Sequence, residues 1–393
     1  MKITALHQPE KTCKRVYDEV LASAVSGAQS SHDPEEIGAA LPTFDGIRSA
    51  LRRERARIRP PLPSSRSEIC LEDQWGKTID GDDFLLFDQG SSDRILGSAS
   101  HESMRILIEA RSIYMDGTFR VVPRLFLQLY SIHAFYKGQM QALVYFLLPD
   151  KSKATCNRVF AMLKEYALSV GKVFQPTTVQ LDFEVVCLNA IQESFPGAGV
   201  KGCNFHFCQA LWRKAQELGL QPYYGDRAVN RFLKCVAALS LVPLEEIDEA
   251  WLQIDSDSPS ADHPAFRALD RFKTYFISTW LENESVFPRV LWNHYRNFGA
   301  RTTNHIEGWH HALNGRVGKR HVNLFEIVSH LQKEEHGNKA QRLLLDMGRA
   351  PKPVRKKYRV LNERLIRLTD QYEAQELSLI QYVSRVAHNL YTD

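Results

Sequence analysis

From residue 111 onward the chain concentrates its apolar side chains in short, dense runs, and the period of those runs changes in a regular order. "RSIYMDGTF" (111–119) reads as a strand, "RLFLQLYSIHAFY" (124–136) as a second, rich in Leu, Ile and aromatics, and "QMQALVYFLLP" (139–149) as a third. Three such runs in succession predict an antiparallel meander. The spacing then turns helical in "KSKATCNRVFAMLKEYALSVG" (151–171), where Val159, Phe160, Leu163, Tyr166, Ala167 and Val170 share a face. "PTTVQLD" (176–182) returns to a strand, "FEVVCLNAIQESFP" (183–196) predicts an amphipathic helix, "AGVKGCNF" (198–205) a short strand and "HFCQALWRKAQELGL" (206–220) another helix.

The resulting order, β-β-β-α-β-α-β-α, matches a ribonuclease-H-like arrangement: an α/β fold with a mixed five-stranded sheet and helices on both faces. Residues 101–220 would form its first part. Residues 221–300 look almost wholly helical, with Trp251, Phe266, Phe272, Tyr275, Phe276, Trp280 and Trp292 as core material. They would be an all-helical insertion before the last helix of the core, which opens at "RTTNHIEGWHHALNGRVGKR" (301–320) and lies in a segment, 301–340, that completes it. Residues 341–393 read as a basic, then helical, tail. Ahead of the core, residues 1–100 read as an arm or linker. "ALPTFDGIRSALRRERARIRPPLPSSRS" (40–67) predicts a short basic helix stopped by Pro60, Pro61 and Pro63, and "DGDDFLLFDQGSSDR" (80–94) a strand and a turn.

Composition narrows the class. The chain has 393 residues, 44% of them hydrophobic, enough for one large or two ordinary cores and too apolar for disorder. No apolar run reaches the roughly 18 residues of a membrane span, and "MKITALHQPEKTCKRVYDEV" lacks the apolar centre of a secretory signal. Seven cysteines, at 13, 70, 156, 187, 203, 208 and 235, form no CxxC pair, which argues against a disulfide framework and for a reducing compartment. Net charge is only +4, but it is segregated: residues 244–286 hold ten acidic and three basic side chains, and residues 301–359 thirteen basic and five acidic. Such asymmetry can offer a polyanion a cationic face while the chain stays soluble, though both segments also read as solvated helical faces.

The chemistry rests on carboxylates set at the ends of apolar runs. Asp116 and Asp182 each close a strand, and the first and fourth strands of the expected sheet are neighbours. Two nearby carboxylates repel, and a divalent cation with hard oxygen ligands relieves the repulsion. Each has an ordinary reading too: Asp116-Gly117 as a hairpin turn, and Asp182 as the N-cap of a helix beginning at Phe183. A third carboxylate is Glu307, although Asn304-x-x-Glu307 also fits a capping box. The crowding of Asn304, His305, Glu307, Trp309 and His310 into one region flanked by basic residues favours a site. Six histidines between 305 and 336 raise a zinc hydrolase built on Glu307-x-x-His310, but the segment lacks an HExxH pattern and leaves the aspartates idle. Cys203, His206 and Cys208 lack a fourth ligand of suitable spacing, so packing of a helix onto the sheet is the simpler reading and zinc is not expected in the core.

Taken together, "YMDGTF", "LDFE", "CNFHFCQALWRK" and "RTTNHIEGWHHALNGRV" resemble, in this order, the signature blocks of Mutator-like (MULE) DDE transposases over roughly residues 100–330. The resemblance implies that Asp116, Asp182 and Glu307 are the metal-binding catalytic triad, that Cys203 and His206 are the family's C-x-x-H structural pair, and that Asn304 and His310 are auxiliary. It implies Mg²⁺ or Mn²⁺ as a pair of ions about 4 Å apart, DNA strand cleavage and strand transfer, and DNA (transposon ends and target) as partner. A homodimer or higher oligomer on DNA and a nuclear location follow, with "KPVRKKYR" (352–359) as a candidate import signal or a solvated charge run. Members commonly carry an upstream zinc-binding DNA-recognition module, of which "LHQPEKTC" (6–13) would be at most the trailing edge. Arg301, Arg316, Lys319 and Arg320 lie in or beside the Glu307 helix and are expected to meet the phosphates, with Arg52, Arg53, Arg55, Arg57 and Arg59 gripping flanking duplex. The competing class is a domesticated derivative, a nuclear DNA-binding or regulatory protein without cleavage activity. An unbroken triad speaks against decay of the site.

Overall fold

The computed structural model describes residues 13–27, 41–58 and 60–390. Residues 6–12 of the "LHQPEKTC" segment, and Arg59, lie outside them. The strands are β1 (Leu85–Gln89), β2 (Ile95–Ser98), β3 (Ser112–Thr118), β4 (Gln128–Tyr136), β5 (Gln139–Leu148), β6 (Thr178–Leu181) and β7 (Gly199–Gly202). The helices are α1 (Cys13–Gly27), α2 (Phe44–Ile58), α3 (His101–Glu109), α4 (Lys153–Ser169), α5 (Val185–Ser194), α6 (Asn204–Glu217), α7 (Arg227–Ala238), α8 (Ile247–Ser256), α9 (Phe266–Phe276), α10 (Arg289–Trp292), α11 (Asn304–Val317), α12 (Leu324–Asp346), α13 (Lys356–Glu373) and α14 (Leu379–Leu390).

The strands form one mixed sheet in the order β1-β2-β5-β4-β3-β6-β7. β3, β4 and β5 pair antiparallel as the meander requires, and β6 and β7 continue parallel to β3. The sheet has seven strands, not the five expected from the sequence. The two additional strands come from residues 85–98, read above as part of an arm. β2 pairs antiparallel with β5 and β1 with β2. The cause is non-local: without them β5 would present a row of unpaired backbone groups. Gly97 makes the pairing possible, since a Cβ there would run into the rings of Phe146 and Phe87.

Period-2 alternation sorts the side chains to two faces. One face of the sheet, through Ile113, Met115, Tyr130, Ile132 and Val144, packs on α3, α4 and α5 residues such as Leu107, Phe160, Leu163 and Ile191. The other, through Leu129, Ala142 and Tyr145, packs on Leu313 and Val317 of α11 and Phe325, Val328 and Leu331 of α12. A helical layer follows β7, where Phe207 and Leu211 of α6 join Val229, Phe232, Trp251, Phe272, Trp280 and Trp292. Helices α13 and α14 supply Leu365, Tyr382 and Val383 to that same layer.

Candidate active site

Asp116 lies inside β3, paired with Ser131 of β4, so it is not a turn residue; the strand runs on to Thr118. The parallel ladder of β3 and β6 sets Tyr114 against Gln180. Carrying that register two residues on places Asp116 beside Asp182, on the same face, at the C-terminal edge of the pair. Nor is Asp182 the helix cap. Its Oδ1 accepts the Phe183 N–H at 2.6 Å, and α5 starts only at Val185, with Glu184 as N-cap. The capping-box reading of Glu307 also fails: α11 has Thr303 as N-cap, and the Asn304 side-chain oxygen has no hydrogen-bond partner among the described residues.

Two imidazoles join the three carboxylates. His206 Nε2 is 3.0 Å from Glu307 Oε1, and its Nδ1 is 3.4 Å from Asp182 Oδ1. His310 Nδ1 is 3.4 Å from Asp116 Oδ2. Glu307 and His310, three residues apart, share one face of α11, so that helix reaches both aspartates. Burial of the His206 ring opposes its charging, but hydrogen bonds to Cys203 and Glu307 and the charge of Asp182 outweigh burial and raise its pKa to about 11. The His206 ring thus stands between two of the carboxylates. Thr303 Oγ1 and Asn304 Oδ1, at the start of α11, are buried oxygens without a hydrogen-bond partner among the described residues. Hard oxygen donors and unanswered negative charge suit a divalent cation of the Mg²⁺ type. Among the described residues, however, no three His, Cys, Asp or Glu side chains are gathered as a ready-made metal cluster. The carboxylates are linked through imidazoles rather than drawn to one point.

Behind Asp116 is a polar chain that sequence reasoning missed. Ser131 Oγ is 3.3 Å from His310 Nε2 and 2.9 Å from His133 Nε2. His133 is buried, and desolvation, then the neighbouring His310 and His305, push its pKa well below the ordinary histidine value. Its ring stands edge-on to Trp309, which stacks on Tyr145 and donates Nε1–H to Glu334 at 2.7 Å. The available signal was the alternation in "QLYSIHAFY", which puts Ser131 and His133 on the face opposite Ile132 and Tyr130.

Cys203 is fully buried at the start of α6. Its Sγ accepts the Thr303 N–H at 3.2 Å and bonds His206, while the Asn204 N–H donates to the Arg301 carbonyl at 3.0 Å, so the starts of α6 and α11 are sewn together. Phe183 fixes Asp182 from the other side. Its ring fills the space that a Cβ on Gly202 would occupy and packs edge-on to Trp280 and Phe287.

The cations are distributed unequally. Arg301 is half-buried, and desolvation lowers its pKa. Arg316 pairs with Glu334, and Lys319 Nζ lies 2.7 Å from Glu326 Oε2. Arg320 is exposed, with no ion pair among the described residues. Arg52 and Arg53 are exposed on α2, which also carries Arg55 and Arg57 in its backbone. Residues 352–359 are exposed throughout and run into α13.

Residues 112–210, from the first residue of β3 into α6, match the family model described as MULE transposase domain. This stretch of the chain is similar to that domain family. The match takes in Asp116, Asp182, Cys203 and His206 and ends before Glu307. No curated protein matches the chain. Among the described residues, no helix is long and apolar enough to cross a membrane.

Proposed function

We propose that the protein is a DDE-type transposase that cuts and joins DNA strands at Asp116, Asp182 and Glu307, on a ribonuclease-H-like core made of β3–β7. The carrying observation is that Glu307, outside the matched stretch, meets Asp182 through His206, on the same helix whose His310 meets Asp116. A residue with no part in the site would have no reason to return there over more than a hundred positions. In this reading the three carboxylates hold Mg²⁺ or Mn²⁺, which would supply charge stabilisation to the phosphoryl-transfer transition state and activate the attacking oxygen. His206 and His310 orient the carboxylates, and Cys203 fixes His206. The partner is DNA, engaged by the protein as an oligomer, and the exposed strip 352–359 serves as a nuclear import signal.

The test is Mg²⁺- or Mn²⁺-dependent nicking and strand transfer by the full chain. Asp116→Ala, Asp182→Ala and Glu307→Ala should each abolish it about as completely as the triple substitution, because residues that act as a unit are not additive. Cleavage by Asp182→Ala at the wild-type rate would overturn the assignment.

A further inference from the structure

Among the described residues, the large aromatic side chains that stand exposed are Phe119, Phe135, Phe205, Trp212 and Tyr358. Single exposed apolar residues are ordinary, but four of these five sit on or beside the elements that carry the site. Phe119 ends the segment that holds Asp116, three residues beyond it. Phe135, on β4, meets the ring of His305 edge-on, and His305 is two residues before Glu307. Phe205 immediately precedes His206, their ring centroids 5.6 Å apart. Trp212 lies seven residues further along α6, on the same face and about 10 Å away. It stacks on Tyr224 at 3.9 Å, nearly parallel, which fixes the indole while the side chain stands exposed. Arg120 and Arg213 each directly follow one of these rings, are exposed, and have no ion pair among the described residues.

We propose that Phe119, Phe135, Phe205 and Trp212 form a stacking rim for unpaired bases, so that the DNA strand reaches the carboxylates with nucleotides out of the duplex. The inference rests on reading the carboxylates as a DNA-processing site, and it names the form of the substrate. Without metal, three carboxylates repel a nearby phosphate, so phosphate contacts contribute little affinity beside them. Base faces carry no net charge and stack on aromatic rings regardless of sequence. Affinity near the triad therefore comes from stacking, while Arg120 and Arg213 meet the phosphates further out. The rings stand at separate positions beside β3, on β4 and along α6, which suits successive bases.

The test uses the full chain, without added metal so that no strand is cut. Binding is compared for a single strand of about 16 nucleotides, the matching duplex, and a duplex with a central unpaired stretch containing 2-aminopurine. The wild type should favour the two DNAs with unpaired bases and quench the 2-aminopurine. Phe205→Ala with Trp212→Ala should weaken their binding at least about tenfold, given the worth of one base–ring stack, and restore the fluorescence, with duplex binding unchanged. Phe205→Tyr with Trp212→Phe should keep the wild-type behaviour. Equal binding by the alanine variant, or no preference for unpaired bases in the wild type, would overturn the proposal. Nicking on the same DNAs with Mg²⁺ separates the two readings: nicking without stacking removes only the rim, and stacking without nicking removes only the transposase assignment.

Discussion

The Cys203 thiol is fully buried between the first turns of α6 and α11, holding the Thr303 N–H on one side and His206 on the other. Removing the sulfur would leave that buried N–H unpaired, at a cost of about 1–3 kcal/mol. Cys203→Ala should therefore lower the unfolding free energy from urea titration by that amount. Cys203→Ser, whose hydroxyl can still accept, should lose less. Identical stability of the two variants would mean that the sulfur's bond to Thr303 contributes nothing. The family resemblance implied that Cys203 and His206 form a pair, through the C-x-x-H block. It did not show that the pair joins two helix starts, since Thr303 lies 100 residues away. Ser131 and His133 were hidden differently: two polar side chains in a strongly apolar strand do not alter its period, and only the partner helix α11 reveals what they face.

At the scale of elements, the join between β7 and the helical layer depends on His294. Its Nε2–H donates to the Gly202 carbonyl at 2.8 Å and its Nδ1 accepts from Asn297 at 3.0 Å, an arrangement only the neutral ring can make. Burial, with lesser contributions from Lys201 and Arg301, lowers its pKa to about 4 against the opposing pull of the Gly202 carbonyl. A folded pKa below the ordinary value of roughly 6.5 means that the folded state resists protonation. The stability this provides is complete above about pH 6.5 and is lost as pH falls through about 4, on the order of 3 kcal/mol in all. The buried His133 acts in the same direction. The melting temperature should hold steady above neutrality and fall through that window, and His294→Gln should flatten part of the fall. A slope unchanged by His294→Gln would place the acid sensitivity elsewhere. Elements with a strong local pattern were legible beforehand: the meander, α4, and the α5–β7–α6 succession. β1 and β2 were legible only as a strand and a turn, because their place in the sheet depends on the free edge of β5. Asp182 was mistaken for a possible cap because helix starts shift by a residue or two, and α5 begins later than its apolar pattern suggests.

For the whole molecule, the segregation of charge matters less than which charges are already answered. Within the acidic stretch 244–286, Asp248 is held by Arg289 and Asp255 by Lys273. Within the basic stretch 301–359, Arg316, Lys319, Lys339 and Arg342 all face carboxylates. A cation paired in the free protein must give up its partner to meet a phosphate, so it releases fewer counterions in net terms than an unpaired one. Arg120, Arg124 and Arg213 are exposed, with no ion pair among the described residues, and two of them adjoin the aromatic rim. Replacing these three by alanine should weaken binding to all DNA sequences alike and flatten the plot of log affinity against log salt, by up to about 0.9 for each phosphate no longer neutralised. Replacing Arg316 and Lys319 should flatten it less, because Glu334 and Glu326 already answer their charge in the free protein. Anisotropy titrations over a salt series would measure both slopes. If the Arg316 and Lys319 pair flattens the slope as much as the three arginines, the duplex crosses the end of α11 instead, and the ion pairs there open when DNA binds.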